Sequence, residues 1–496
     1  MTHRVYLFLT IVSILILAAS CQSRRGLSGR YRAEKEFFVA DKMATRILNE
    51  RGLGRVSNTQ EIVRLFDSLI SRFSLETLED RSQYSEREAR AIKDIVWKAS
   101  LRAAGLVSLS GDTEETVRRY KAISERFGSD EQLAPMALYL GARAREASGE
   151  WNESLEAYEK IIDGFLSGDW GIGSFEERMM EIPYLMARLI EPSHDERTLG
   201  SVMERGRVFF EWVAESDSTL AVYSRLGEAR TYALEKRWRH HVSSLRDLLG
   251  SSLPGLDAVR PLVFLDVALA YKDGLAMQDS ALSYCSLVVR DYSSHTAAAE
   301  ALFIEASILR ERGELEKARR LFQTLAARRS GVSAPAMLEL GALYETLGRW
   351  EDARAEYGSL RGFFPHSVHN YEALLRVIRH YKATGDRDAM IRAADEAAEF
   401  LRGEIKDLPA TQAALVARGF LVDALLLVGR TEEAAQELEA IAGLYGTRAS
   451  GILALLKAAR IHQESGAQEK ARQLLREFEE RYGGSPFGQI AGSEFF

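Results

Sequence analysis

Cysteine is nearly absent: Cys21 and Cys285 are the only two in 496 residues. That excludes a disulfide framework and any cysteine-rich zinc module. Proline is scarce as well, with 9 in the chain, so long stretches lack the one residue that interrupts a helix. The chain has 65 Lys and Arg against 72 Asp and Glu, a net charge of −7. No basic excess of the kind that marks a nucleic-acid binder is present. The motifs H-E-x-x-H, G-x-S-x-G and G-x-x-x-x-G-K-[ST] do not occur. No cofactor, metal, nucleic acid or small-molecule substrate is therefore expected, and the chain reads as a non-enzyme.

Long apolar runs are also missing. The longest is Val5–Leu17, thirteen uncharged residues, short of the ~20 needed to cross a bilayer. It follows Arg4 and precedes Ala18-Ala19-Ser20-Cys21, the layout of an export signal. The end of it resembles a bacterial lipobox, with Ala18 where leucine is commonest. The resemblance implies acylation of Cys21 after removal of residues 1–20, and two or more acyl chains anchor stably. A plain signal peptide cut near Ser20 and an uncleaved anchor are the alternatives. Residues 21–32, beginning QSRRGLSGR after the cysteine, read as a polar tether. The expectation is an exported lipoprotein, held at the outer membrane and facing the periplasm.

What is abundant is helix-forming sequence with a repeat. Hydrophobic residues make up 46%, enough to build a core. Gly341, Gly348, Ala353 and Tyr357 stand at relative positions zero, seven, twelve and sixteen. The same frame holds for Ala104, Gly111, Thr116, Tyr120; for Ala142, Gly149, Ser154, Tyr158; and for Ala306, Gly313, Ala318, Phe322. It returns at Val422, Gly429, Ala434, Leu438 and at Ala459, Gly466, Ala471, Leu475, and more weakly at Ile378, Gly385, Met390, Ala394. Small residues on either side of a turn let two antiparallel helices approach closely. The glycine supplies a left-handed cap, and the bulky residue fills the next turn of the same face. One such pair cannot bury its apolar stripe alone, so copies must stack.

The pattern resembles the tetratricopeptide repeat, with Leu340-Gly341, Tyr344, Gly348, Ala353, Tyr357 and Pro365 in the places of its consensus. The linkers ISERFGSD, LRGFFPHSVHN and FEERYGGSPFG are similar to a subtype found in bacterial envelope proteins. Among them are the lipoprotein of the outer-membrane β-barrel assembly machine and the coordinator of the Tol–Pal system. The resemblance implies an all-α solenoid of stacked antiparallel hairpins, about 9–11 of them. The division expected is N-terminal helices at 33–96, a repeat pair at 97–164, degenerate helical repeats at 165–296, a regular array at 297–482 and a tail at 483–496.

Function then rests on a surface. In this family the first helices of successive pairs line a concave groove, which implies partner-binding positions at Tyr139, Arg143, Arg310, Glu345, Arg379, Lys382, Asp423 and Arg460. Recurrent arginines there suit carboxylates or acidic peptides, and a merely solvated face is the plainer reading. The side of the helix around Leu338, Ala342 and Glu345 is expected to stay open. His366 with His369, His194-Asp195 and Cys285 read as turn, cap and buried thiol. Trp151 and Trp350 read as packing residues. The expected function is a protein-binding scaffold, lipid-anchored in the bacterial envelope, with envelope or periplasmic proteins as partners. The alternative is a helical accessory part of a cell-wall-acting enzyme, with 165–296 the only room for its site.

Overall fold

The computed structural model describes residues 29–49, 56–483 and 488, apart from 75–77, 79–82, 110–111, 131, 192–195, 329, 408–410 and 447. The expected signal peptide, Cys21, the first part of the tether, Gly111, His194-Asp195 and nearly all of the tail lie outside the described residues. Within them are 22 α-helices and no strand. The chain divides into two compact units, residues 1–161 and 162–496.

In the first unit the helices are α1 (Gly29–Asn49), α2 (Val56–Arg72), α3 (Glu86–Leu109), α4 (Thr113–Phe127), α5 (Ala134–Ser148) and α6 (Trp151–Leu166), the division falling within α6. Asp112 caps α4 by accepting from the Glu115 amide at 3.0 Å. Trp97 meets Phe127 edge-on at 5.2 Å, both rings buried. Trp151 is buried too.

The second unit opens irregularly. Two short 3₁₀ turns, Ile172–Ser174 and Glu177–Glu181, precede α7 (Ile182–Ile190) and α8 (Glu196–Ser216). The turn-rich segment there reads as a break, yet its aromatics pack inward: Trp170 and Phe175 lie 5.5 and 5.7 Å from Phe165, which also meets Trp212 at 5.0 Å. Seven hairpins follow: α9 (Ala221–Leu234) with α10 (Trp238–Gly250), α11 (Leu256–Leu269) with α12 (Gln278–Asp291), and α13 (Ala297–Glu311) with α14 (Leu315–Ala327). Then come α15 (Ser333–Thr346) with α16 (Trp350–Phe363), α17 (Val368–Thr384) with α18 (Arg387–Asp407), α19 (Gln412–Leu427) with α20 (Thr431–Tyr445), and α21 (Ala449–Glu464) with α22 (Gln468–Tyr482). Each hairpin packs on the next, forming an α-solenoid.

The turn glycines Gly149, Gly313, Gly348, Gly385, Gly429 and Gly466 all take positive φ, between 69° and 87°. Only two described non-glycine residues do so, Lys236 at 56° and Ala276 at 53°. They uncover two repeats that glycine spacing hides. Ala229, Lys236, His241 and Leu245 keep the zero, seven, twelve, sixteen frame. Ala268, Ala276, Ala281 and Cys285 keep it with one extra residue, taken up by the π-helical turn Ala270–Gly274. Ala268, Ala281 and Cys285 share one buried cluster, and burial pushes the Cys285 thiol up to about 12, leaving it inert. A side chain in the left-handed region costs about 1 kcal/mol that glycine does not. Lys236→Gly and Ala276→Gly should each therefore raise stability by up to about 1 kcal/mol in urea unfolding. A loss at both positions would show that their side chains stabilise the turns.

Candidate functional site

The frame positions repeat their bonds as well as their spacing. Ser154 Oγ donates to the Ala142 carbonyl at 2.9 Å, and His241 Nδ1 meets the Ala229 carbonyl at 2.8 Å, both across twelve residues. Burial holds His241 below its ordinary pKa, so it donates as a neutral ring. The Tyr357 hydroxyl donates to Glu345 at 2.6 Å and the Tyr158 hydroxyl to Glu146 at 3.4 Å, again twelve residues apart. Burial raises both phenols well above the ordinary tyrosine range. Glu345 is thus tied to its own hairpin.

The first helices of the second unit are joined by polar bonds that step from one hairpin to the next. Arg230 on α9 pairs with Asp266 on α11 at 2.8 Å. Arg310 on α13 pairs with Glu339 on α15. Lys382 on α17 donates to the Leu427 carbonyl on α19 at 2.8 Å, and Asp423 on α19 faces Lys457 on α21 at 3.7 Å. Arg310, Lys382 and Asp423 therefore belong to one ladder along this face. Arg379 pairs with Glu372 at 2.7 Å and Arg460 with Glu464 at 3.0 Å, each within its own helix and exposed. In the first unit Arg143 pairs with Glu146 at 2.9 Å. Tyr139 is 7% exposed with its ring 6.3 Å from Tyr158, a packing residue rather than an open one.

The expected open side of α15 is corrected by the structure. Leu338 and Ala342 are each 7% exposed, because α15 is enclosed by its own second helix and by the hairpins on either side. What solvent reaches on the first helices is the charged groups of the ladder, together with scattered apolar side chains such as Tyr223 and Leu453. Exposed ion pairs contribute little, about 0–1 kcal/mol each, so a partner's carboxylates can exchange with those of Glu372 or Glu464 at small cost.

A feature that spacing did not reveal lies between consecutive second helices. A cleft of about 370 Å³ separates α16 from α18 over a floor of α17, lined by Arg354, Tyr357, Arg361, Asn370, Tyr381 and Arg392, among others. Arg354 pairs with Glu351 at 2.9 Å and Arg361 lies over Phe400 at 5.0 Å. Beside it Trp350 stacks flat on His380 at 3.4 Å. Among the described residues no group of three or more His, Cys, Asp or Glu is placed to hold a metal. No described helix is long and apolar enough to cross a membrane.

Stacked helix hairpins with left-handed turns and a polar ladder on their first helices define an α-solenoid of the repeat class. Residues 335–367 and 453–485 match the family model of the tetratricopeptide repeat; these hairpins are tetratricopeptide repeats, and the hairpins around them are built to the same frame. Comparison with curated proteins finds no match. Among solved structures the chain is similar to yeast Tom70, at 11% identity over 93% of this chain and 95% of that one, with a TM-score of 0.43. It is also similar to the apo quorum sensor NprR from B. thuringiensis, at 12% identity over 70% and 98%, TM-score 0.34. A Podosopora anserina putative kinesin light chain with TPR-like repeats matches at 16% identity over 41% and 99%, TM-score 0.29. Likeness at this level carries no argument about function.

Proposed function

We propose that this chain is a non-enzymatic, lipid-anchored scaffold of the bacterial cell envelope that binds acidic segments of other envelope proteins along its first helices. The observation that carries the reading is the recurrence of basic groups on the first helices, among which Arg379, Lys457 and Arg460 are held by carboxylates that solvent reaches and a partner can displace. A bound segment would contribute small increments over several hairpins, and these sum. The anchor is Cys21, acylated after removal of residues 1–20, with the chain facing the periplasm from the outer membrane.

Two variants test the two halves. Cys21→Ala should move the protein from the detergent phase to the aqueous phase of a Triton X-114 partition. Retention in the detergent phase as strongly as wild type would refute the anchor. Reversal of Arg379 and Arg460 together to glutamate should weaken partner capture roughly tenfold, with the circular dichroism spectrum unchanged. Full capture by that variant would remove this face from consideration.

A further inference from the structure

The first helix carries a face that the fold does not use. In α1, Ala33, Ala40 and Ala44 are buried where the helix packs on α2 and α3. The opposite side exposes Tyr31 at 53%, Phe38 at 67%, Val39 at 47% and Met43 at 37%, with Arg32, Lys35 and Lys42 also exposed among them. At 100° per residue these seven positions occupy an arc of about 140° from Phe38 to Met43. No carboxylate falls inside it. The acidic residues near its borders are occupied: Glu34 with Arg30 at 2.7 Å, Glu36 with Arg72, and Asp41 with Arg102 at 2.8 Å. Among the described residues Arg32, Lys35 and Lys42 have no acidic partner.

We infer that this face lies on an anionic membrane surface, as an interfacial helix rather than a protein-binding one. Unpaired lysine and arginine beside exposed aromatic and aliphatic side chains complement an anionic bilayer surface, which attracts each cation near it. The apolar groups enter the acyl boundary while the lysine stems run alongside them and keep their ammonium groups among lipid phosphates. Position also points to lipid, and this argument rests on the anchor reading. Gly29 is eight positions after Cys21, at most about 28 Å of extended chain. Arg24 and Arg25 add charge of the same sign in that stretch. An acylated Cys21 thus keeps α1 within reach of the bilayer, and α1 in turn would set which side of the first unit faces it.

The test uses the unacylated chain of residues 21–496 carrying Cys21→Ala, so that no lipid of its own contributes. It is sedimented with vesicles of phosphatidylcholine containing 30% phosphatidylglycerol, and with phosphatidylcholine alone. Binding to the anionic vesicles is expected, at least tenfold stronger than to the neutral ones and weakened by salt. The double change Lys35→Gln with Lys42→Gln should lower it by roughly 25-fold, about fivefold per lysine. Phe38→Ser should lower it further, with circular dichroism and thermal unfolding as in the parent. Three results would overturn the inference: equal binding to both vesicles, no effect of the lysine changes, or a lysine-dependent dimer in the absence of vesicles. Failure of the anchor reading shows instead in the Triton X-114 partition of the acylatable chain, which this assay does not use.

Discussion

Gly341→Ala should destabilise the second unit by about 1–3 kcal/mol, while Gly358→Ala, one helix further on, should stabilise it by up to about 1 kcal/mol. Both glycines are inside helices, α15 and α16, and local propensity alone predicts a gain at each. The difference is in what a Cβ would meet. At Gly341 it would enter the Tyr357 ring, with the Cδ1 and Cζ atoms at 2.8 Å. Tyr357 cannot retreat freely, because it is buried and its hydroxyl is held by Glu345 at 2.6 Å. At Gly358 nothing lies within 4 Å. Gly341→Leu extends the first effect to about 3 kcal/mol or more. Equal shifts of the same sign at both positions, in urea unfolding, would mean that the α15–α16 approach is not set by the small residue.

The second large effect is expected at Arg207→Ala, about 3–5 kcal/mol. The Arg207 side chain on α8 is 7% exposed and pairs with Glu235, itself 12% exposed, just past the end of α9. It also bonds Glu204 at 2.6 Å and Thr231 Oγ1 at 3.1 Å, and its guanidinium lies over the Tyr232 ring at 4.5 Å. Truncation leaves the largely buried Glu235 carboxylate with only the longer 3.7 Å contact to Arg237, next to the left-handed turn at Lys236. The paired change Arg207→Met with Glu235→Leu should recover most of the loss, since two apolar groups of similar volume leave no charge stranded. A double variant no better than Arg207→Ala would show that the cost comes from lost packing on Tyr232, with little from the charge.

Where glycine marks the turn, the fold was legible in the chain. The hairpins around Gly313, Gly348, Gly385, Gly429 and Gly466 follow from one conformational requirement repeated at fixed spacing. From α9 to α12, residues 221–291, the same architecture continues without that signal. Lys236 and Ala276 accept the left-handed conformation at a cost, and the turn at 270–274 shifts the count by one residue. Spacing cannot show a substitution that the surrounding packing tolerates. The candidate surface was legible only by type. Frame position found Arg310, Lys382 and Asp423, but their bonds to the next hairpin depend on how hairpins stack, which periodicity within one helix does not encode. It also took Tyr139, Leu338 and Ala342 for accessible groups, because a first helix enclosed on three sides has little polar face to betray an exposed one. The arginine-lined cleft between α16 and α18 brings together residues from three helices and has no local signature at all.

Site-specific photo-crosslinking in native membranes is the most direct test of the scaffold reading. A photoreactive side chain replaces Arg379 or Lys457 on the first helices, or Arg392 in the cleft between second helices. If partners dock along the first helices, positions 379 and 457 capture the same envelope protein, and Arg460→Glu lowers the yield of both products several-fold. Capture from position 392 alone, or none from 379 and 457, would contradict the account.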